Sequence, residues 1–141
     1  MEPLLIGLDL GTTVLKAAAC EQVSGRCVAH ASVRLPVRVD AEGGREQDLP
    51  KLSAALPRVF ADLRAQLGPR WASIQGIGLA AQGGSAAMVN RHTGAPLTPM
   101  SLWNDARVYA WLPKIMAMRP GEYWQALHCR AEPGAGLARM L

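Results

Sequence analysis

Cysteine is scarce in this chain: Cys20, Cys27 and Cys129 are the only three, an odd number with no C-x-x-C pair. That argues against a disulfide framework or a cysteine-built zinc site and leaves buried or idle thiols. Aromatic residues make up only 5% of the chain, and the arginines are scattered and form no run. A net charge of +4 is therefore read as a mildly basic, solvated surface, with no nucleic-acid partner expected. No apolar stretch reaches the ~18–20 residues that a membrane helix needs. Met1-Glu2-Pro3 lacks a basic leader segment, and Asp9 breaks the apolar run that follows, so no secretion signal is expected. The expectation is a soluble, cytoplasmic protein without a membrane partner. The Walker A pattern, the Rossmann G-x-G-x-x-G and the G-x-S-x-G nucleophile elbow are all missing. His30, His92 and His128 show no metal-ligand spacing and are read as structural or exposed.

What is present suits one globular domain: 141 residues, 50% hydrophobic and 18% charged. Residues 4–10 read as a buried strand closed by Gly11. Residues 14–20 fit strand or helix by periodicity alone, and the preceding Gly11-Thr12-Thr13 favours a β-hairpin. Residues 26–35 alternate as a third strand. Residues 36–47, rich in Gly and charge, read as a connecting loop. Asp48 suits a helix N-cap, followed by Leu52, Leu56, Val59, Phe60, Leu63 and Leu67 at helical spacing. Pro57 should kink or split that helix, and Gly68-Pro69 should stop it. Residues 73–81 read as a buried strand, and 85–90 pair with 97–102 across Arg91–Gly94. Asp105 caps a helix running to about Met118, a shorter helix spans 122–128, and 132–136 is loop. The expected order is β-β-β-α-β-β-β-α, a mixed sheet covered by helices.

Four clusters carry chemistry. In Asp9-Leu10-Gly11-Thr12-Thr13 the carboxylate closes a strand, and the turn's N–H groups can line a nest for phosphate oxygens. Lys16 follows three residues on, and a metal ion near Asp9 would neutralise charge in phosphoryl transfer. An ordinary hairpin turn with solvated threonines explains the same residues. Glu46-Gln47-Asp48 precedes the first helix, where Asp48 caps it in any case. Gln82-Gly83-Gly84-Ser85 permits close ligand approach, or simply a turn. Trp103-Asn104-Asp105-Ala106-Arg107 combines a flat aromatic platform with polar groups, as sugar sites do, although Asp105 also suits a plain N-cap.

In this order and spacing the clusters resemble the FGGY carbohydrate kinases, xylulokinase-like members above all. Asp9-Leu-Gly-Thr-Thr-x-x-Lys16 resembles that family's first phosphate motif. Gly76-Ile-Gly-Leu-Ala-Ala-Gln82 resembles its strand into the sugar site, and Leu102-Trp-Asn-Asp-Ala-Arg107 its W-N-D-x-R element. The resemblance implies an α/β, RNase H-like fold of the actin and hexokinase type. It implies ATP and Mg²⁺ as cosubstrates and transfer of the γ-phosphoryl group to a hydroxyl of a sugar, sugar acid or polyol. By position, Asp9 would be catalytic and hold the metal, and Gly11, Thr12, Thr13 and Lys16 would meet phosphates. Gln82, Gly83, Gly84, Trp103, Asn104, Asp105 and Arg107 would face the sugar. Family members carry larger side chains where Gly83 and Gly84 stand, so either a bulkier substrate fits here or the sugar loses contacts. They are also several times longer, with the catalytic-base aspartate and the adenosine site beyond the stretch matched. Residues 1–141 are thus expected to be a partial N-terminal, sugar-binding domain without the nucleotide-binding one, with a homo-oligomeric copy or a missing C-terminal half as the expected partner. The alternative is a non-catalytic sugar- or phosphate-binding, or self-associating, module.

Overall fold

The computed structural model describes residues 2–128. Cys129 and the loop expected at 132–136 lie outside the described residues. The chain divides into two compact units, Met1–Pro36 with Pro50–Gln82 and Val37–Leu49 with Gly83–Leu141.

The first unit is a four-stranded mixed sheet and a long helix. Strands β1 (Leu4–Leu10), β2 (Val14–Glu21) and β3 (Cys27–Arg34) form the expected meander. β6 (Ile74–Ala81) adds parallel to β1, giving the order β3-β2-β1-β6. Strand alternation sorts the side chains. Leu4, Ile6 and Leu8 of β1, Leu15, Ala17 and Ala19 of β2, and Ala29 and Ala31 of β3 are all buried. The antiparallel register aligns them on one face: Ile6 beside Ala19, Leu8 beside Ala17, Ala17 beside Ala31. Leu5, Gly7, Asp9, Lys16 and Ser32 occupy the other.

Helix α1 (Leu49–Leu67) buries Leu52, Ala55, Val59, Leu63 and Leu67, the stripe its 3.6-residue period dictates. Pro57 sits inside this helix without dividing it. Pro57 and Ser53, whose carbonyl loses its donor, are both exposed, so water can satisfy the group. Gly68, at φ +53°, opens a 3₁₀ turn over Gly68–Ser73. Gln66 joins α1 to the outer strand: its amide donates to the His30 carbonyl at 2.8 Å and accepts from the His30 N–H at 3.3 Å. One side chain thereby takes the place of a ladder partner on β3.

The sequence suggests a buried strand at 73–81, and the structure corrects this. β6 is largely exposed, with Ile77 at 58% and Leu79 at 69%. Among the described residues β1 is its sole neighbour, so an apolar composition that suits a central strand sits at an edge.

The second unit differs more from expectation. Residues 36–47 are not merely loop: they hold β4 (Arg38–Val39) and β5 (Arg45–Gln47). With β7 (Met100–Ser101) these make a three-stranded antiparallel sheet in the order β4-β5-β7. The hairpin expected from 85–102 survives as two bridges, Ala86 with Ser101 and Val89 with Pro96. Pro96 and Pro99 remove donors that a full ladder needs. The helix expected over 105–118 is a 3₁₀ turn (Ala106–Ala110) and a five-residue α2 (Leu112–Met116), with Pro113 near the start of the second piece. α3 (Gly121–His128) follows. Val108, Ile115 and Trp124 form a small core with Leu112 against them.

Candidate functional site

In the first unit the chemistry gathers where β1 turns into β2. Asp9 is exposed near the end of β1, and Lys16 is its cross-strand partner. Both line a recess of about 370 Å³ whose floor and walls include Gly7, Ala18, His30 and Ser32. Small residues at positions 7 and 18 leave the sheet face open above them. The turn between the strands is tight. A Cβ on Gly11 would meet the Val14 carbonyl oxygen at 2.9 Å and reach 4.0 Å from both Asp9 carboxylate oxygens. Glycine there keeps the carboxylate uncovered.

The turn is anchored from both sides. Leu35 N–H donates to the Thr13 carbonyl at 2.8 Å. Gln82, just past β6, donates its N–H to the Leu10 carbonyl at 3.1 Å. The Thr12 hydroxyl donates to Gln82 Oε1 at 2.6 Å. Asp9, Gly11, Thr12, Thr13, Lys16 and Gln82 therefore belong to one unit. The parallel pairing of β1 with β6 brings the end of one strand level with the other, with Leu10 opposite Ala81.

The remaining predicted residues lie in the second unit. Trp103 is 52% exposed and donates its N–H to Ser85 Oγ at 3.1 Å. Asn104 is half-buried, and its Oδ1 has no hydrogen-bond partner among the described residues. Gly83 is exposed with nothing near its Cβ position, and Gly84 has φ +77°.

Asp105 does something the sequence showed only in part. It caps the 3₁₀ turn as expected, accepting from the Arg107 N–H at 3.1 Å. It is also 1% exposed and held by the Arg107 guanidinium, at 3.0 Å from Nε and 2.6 Å from Nη2, and by the Ser101 hydroxyl at 3.1 Å. Arg107 reaches further, to Glu46 Oε1 at 2.7 Å and Asp40 Oδ2 at 3.3 Å. The guanidinium holds Asp105 far below the usual carboxylate range, against the opposing effect of burial, and lowers Glu46 with help from Arg38. Arg107 is itself raised, first by Asp105 and then by Glu46. Gly43 and Gly44 make room: a Cβ on Gly44 would lie 2.5 Å from the guanidinium carbon, and one on Gly43 2.9 Å from the Ala106 Cβ.

Asp40, Gly43, Gly44 and Ser101 were not singled out from the sequence. The signal available was a Gly-Gly pair between Asp40 and Glu46 in a segment read as loop. What the sequence could not show is that an arginine 61 residues beyond Glu46 fills that space.

Residues 4–129 match the model of the FGGY family of carbohydrate kinases, N-terminal domain. An apulose kinase from Pectobacterium atrosepticum is 32% identical over 105 residues, 74% of this chain and 21% of the relative. An erythritol kinase from Brucella abortus is 30% identical over 114 residues, 81% of this chain and 22% of the relative. The crystal structure of a xyloylose kinase from Brucella ovis superimposes with a TM-score of 0.77 at 30% identity, covering 87% of this chain and 25% of that one. A gluconate kinase from Lactobacillus acidophilus, at 21% identity and a TM-score of 0.76, shares the fold. This chain thus spans between a fifth and a quarter of the length of these relatives. Its mixed sheet and helix are of the actin and hexokinase type. The chain belongs to the FGGY family of carbohydrate kinases and matches its N-terminal domain.

Proposed function

We propose that this chain supplies the phosphate turn and the sugar-facing surface of an ATP-dependent carbohydrate kinase. The reaction moves the γ-phosphoryl group of ATP to a hydroxyl of a sugar, sugar acid or polyol, with a ketopentose as the first substrate to try. The observation that carries this reading is the pairing of Asp9 and Lys16 over one recess beside the glycine-tight turn. A carboxylate and an ammonium group at a turn rich in N–H and hydroxyl donors suit a phosphate chain with its cation.

The donor set also fits the expected metal. Among the described residues no three His, Cys, Asp or Glu side chains cluster. A single exposed carboxylate suits Mg²⁺, which keeps most of its water and takes substrate phosphate oxygens, and does not suit a metal caged by protein. Bound Mg²⁺–ATP would supply the phosphoryl group with part of its charge neutralised. Asp9 would hold the cation, Lys16 and the Gly11–Thr13 amides would meet phosphate oxygens, and exposed Trp103 would offer a flat face to the sugar. Asp105 and Arg107 would act through position, since both are engaged with each other and with Glu46. Gly83 and Gly84 leave room for a larger substrate. The proposed setting is cytoplasmic, where ATP is abundant. No helix among the described residues is long and apolar enough to cross a membrane.

The test is ADP release by the assembled enzyme, in which a C-terminal half supplies the catalytic base and the adenosine site, with Mg²⁺–ATP and a panel of xylulose, apulose, erythritol and gluconate. Turnover of one panel member is expected. Asp9→Ala should abolish it while leaving sugar binding mostly intact. Loss of sugar binding with Mg²⁺–ATP binding unchanged would contradict the role given to Asp9. Sugar or Mg²⁺–ATP binding without ADP release would support a non-catalytic binding module instead.

A further inference from the structure

Gln82 is the residue whose surroundings point beyond its expected role. The resemblance to sugar kinases would set it at the sugar, yet its contacts are with the phosphate turn. Its N–H holds the Leu10 carbonyl, and its Oε1 accepts from the Thr12 hydroxyl. The other half of the carboxamide is left over: Nε2 is buried and has no hydrogen-bond partner among the described residues. Buried donors are rarely left so, because an unmade hydrogen bond leaves the full cost of desolvation uncompensated. With one bond already accepted by Oε1 from Thr12, the group the carboxamide has left without any partner is a donor. The matching ligand atom is an acceptor, and the turn that Gln82 holds in place is the one lined for anionic oxygen. A phosphoryl oxygen accepts and cannot donate.

We propose that Gln82 is a phosphoryl-binding residue: Oε1 fixes Thr12, and Nε2 donates to an oxygen of the phosphate chain seated at Gly11–Thr13. This deepens the proposed function and rests on its phosphate reading of the turn. It removes Gln82 from the sugar's contacts and makes β6 part of the phosphate site.

The experiment is NMR on the ¹⁵N-labelled chain, titrated with Mg²⁺–tripolyphosphate and separately with xylulose. The Gln82 side-chain NH₂ pair and the Gly11–Thr13 amides should shift along one saturation curve with tripolyphosphate, and the NH₂ pair should stay still with xylulose. Gln82→Leu should weaken tripolyphosphate binding about tenfold, the loss of one hydrogen bond to a charged acceptor. Movement of the turn amides with a stationary NH₂ pair would overturn the assignment and leave the phosphate reading standing. Movement of the NH₂ pair with xylulose alone would return Gln82 to the sugar. Absence of any shift at the turn with tripolyphosphate would end both. The parent's side-chain signals decide the question even if Gln82→Leu does not fold.

Discussion

Among the described residues each unit buries one carboxylate, and the two are compensated differently. Glu21, at the end of β2, is 6% exposed. It accepts from Arg26 at 2.8 and 3.0 Å, from Ser24 at 2.7 Å and from Arg70 at 2.9 Å. These donors hold its carboxyl well down, at about 2. Two arginines from separate parts of the first unit share the task, and around them stands an apolar core of sheet and helix. Asp105 depends on one guanidinium, which also serves Glu46 and Asp40. The apolar cluster of its unit is small. The first unit is therefore stabilised mainly by buried area, with charge at its margin. The second is organised by charge, with one arginine at the centre. Glu21 keeps an arginine when either of its two is lost, whereas Asp105 loses its one guanidinium with Arg107.

Three experiments break or sharpen this contrast. The largest loss is expected from Leu63→Ala, because Leu63 is fully buried in α1. It should cost about 3 kcal/mol, transfer and cavity together. Hydrogen exchange should show the loss across β1, β2 and α1. Equal loss of protection in β5 and β7 would show that the units unfold as one.

Arg107→Ala comes next, at about 2 kcal/mol. Stripping one partner from a buried carboxylate costs about 3–5 kcal/mol, and water can partly replace a guanidinium whose side chain is 38% exposed. Urea unfolding followed at Trp103 and Trp124 would measure it. Arg70→Met should cost visibly less, because Glu21 retains Arg26. Equal costs would remove the single-hub reading of the second unit.

The smallest effect, absent at neutral pH, appears in acid. Glu21 has a folded value of about 2 against an ordinary 4.5, and Asp105 lies below its ordinary 3.8. A lowered carboxylate stabilises the fold above its ordinary value and loses that contribution as pH falls through the folded one. Stability should be level above about pH 5 and fall from about pH 4 toward pH 2. In Arg107→Ala the sign reverses for the second unit. Asp105 would then be a buried carboxylate without its cation, and its protonation would restore stability as pH falls. Thermal melts of both proteins between neutral and acid pH would check this. A parallel fall in the two proteins would contradict it.

Most of the first unit was legible in the sequence, because its signals are local. Period-2 alternation in β1 to β3, period-3.6 spacing in α1, and Gly68 as a stop each depend on a few neighbouring residues. The tight turn between β1 and β2 was legible for the same reason, since Asp9 to Lys16 is one continuous segment. The exposure of β6 was not legible. Apolar composition says what a strand could bury and cannot say whether a second neighbour stands beside it. The small sheet of the second unit escaped too, since two- and three-residue strands have no period to detect. For the Asp105 network, only the N-cap spacing was local.

The sequence alone determined the elements of the first unit, the glycine-tight turn between β1 and β2 and the family membership that the motifs imply, since each is written within a short window. The tertiary structure decided which predicted residues share a unit and that Arg107 is the hub for Asp40, Glu46 and Asp105. It also decided that Gln82 answers to Thr12. The pairings of Arg107 with Glu46 and Asp40, and of Gln82 with Thr12, join residues 61, 67 and 70 positions apart. Contacts at that separation depend on strand order and register, which no local period records.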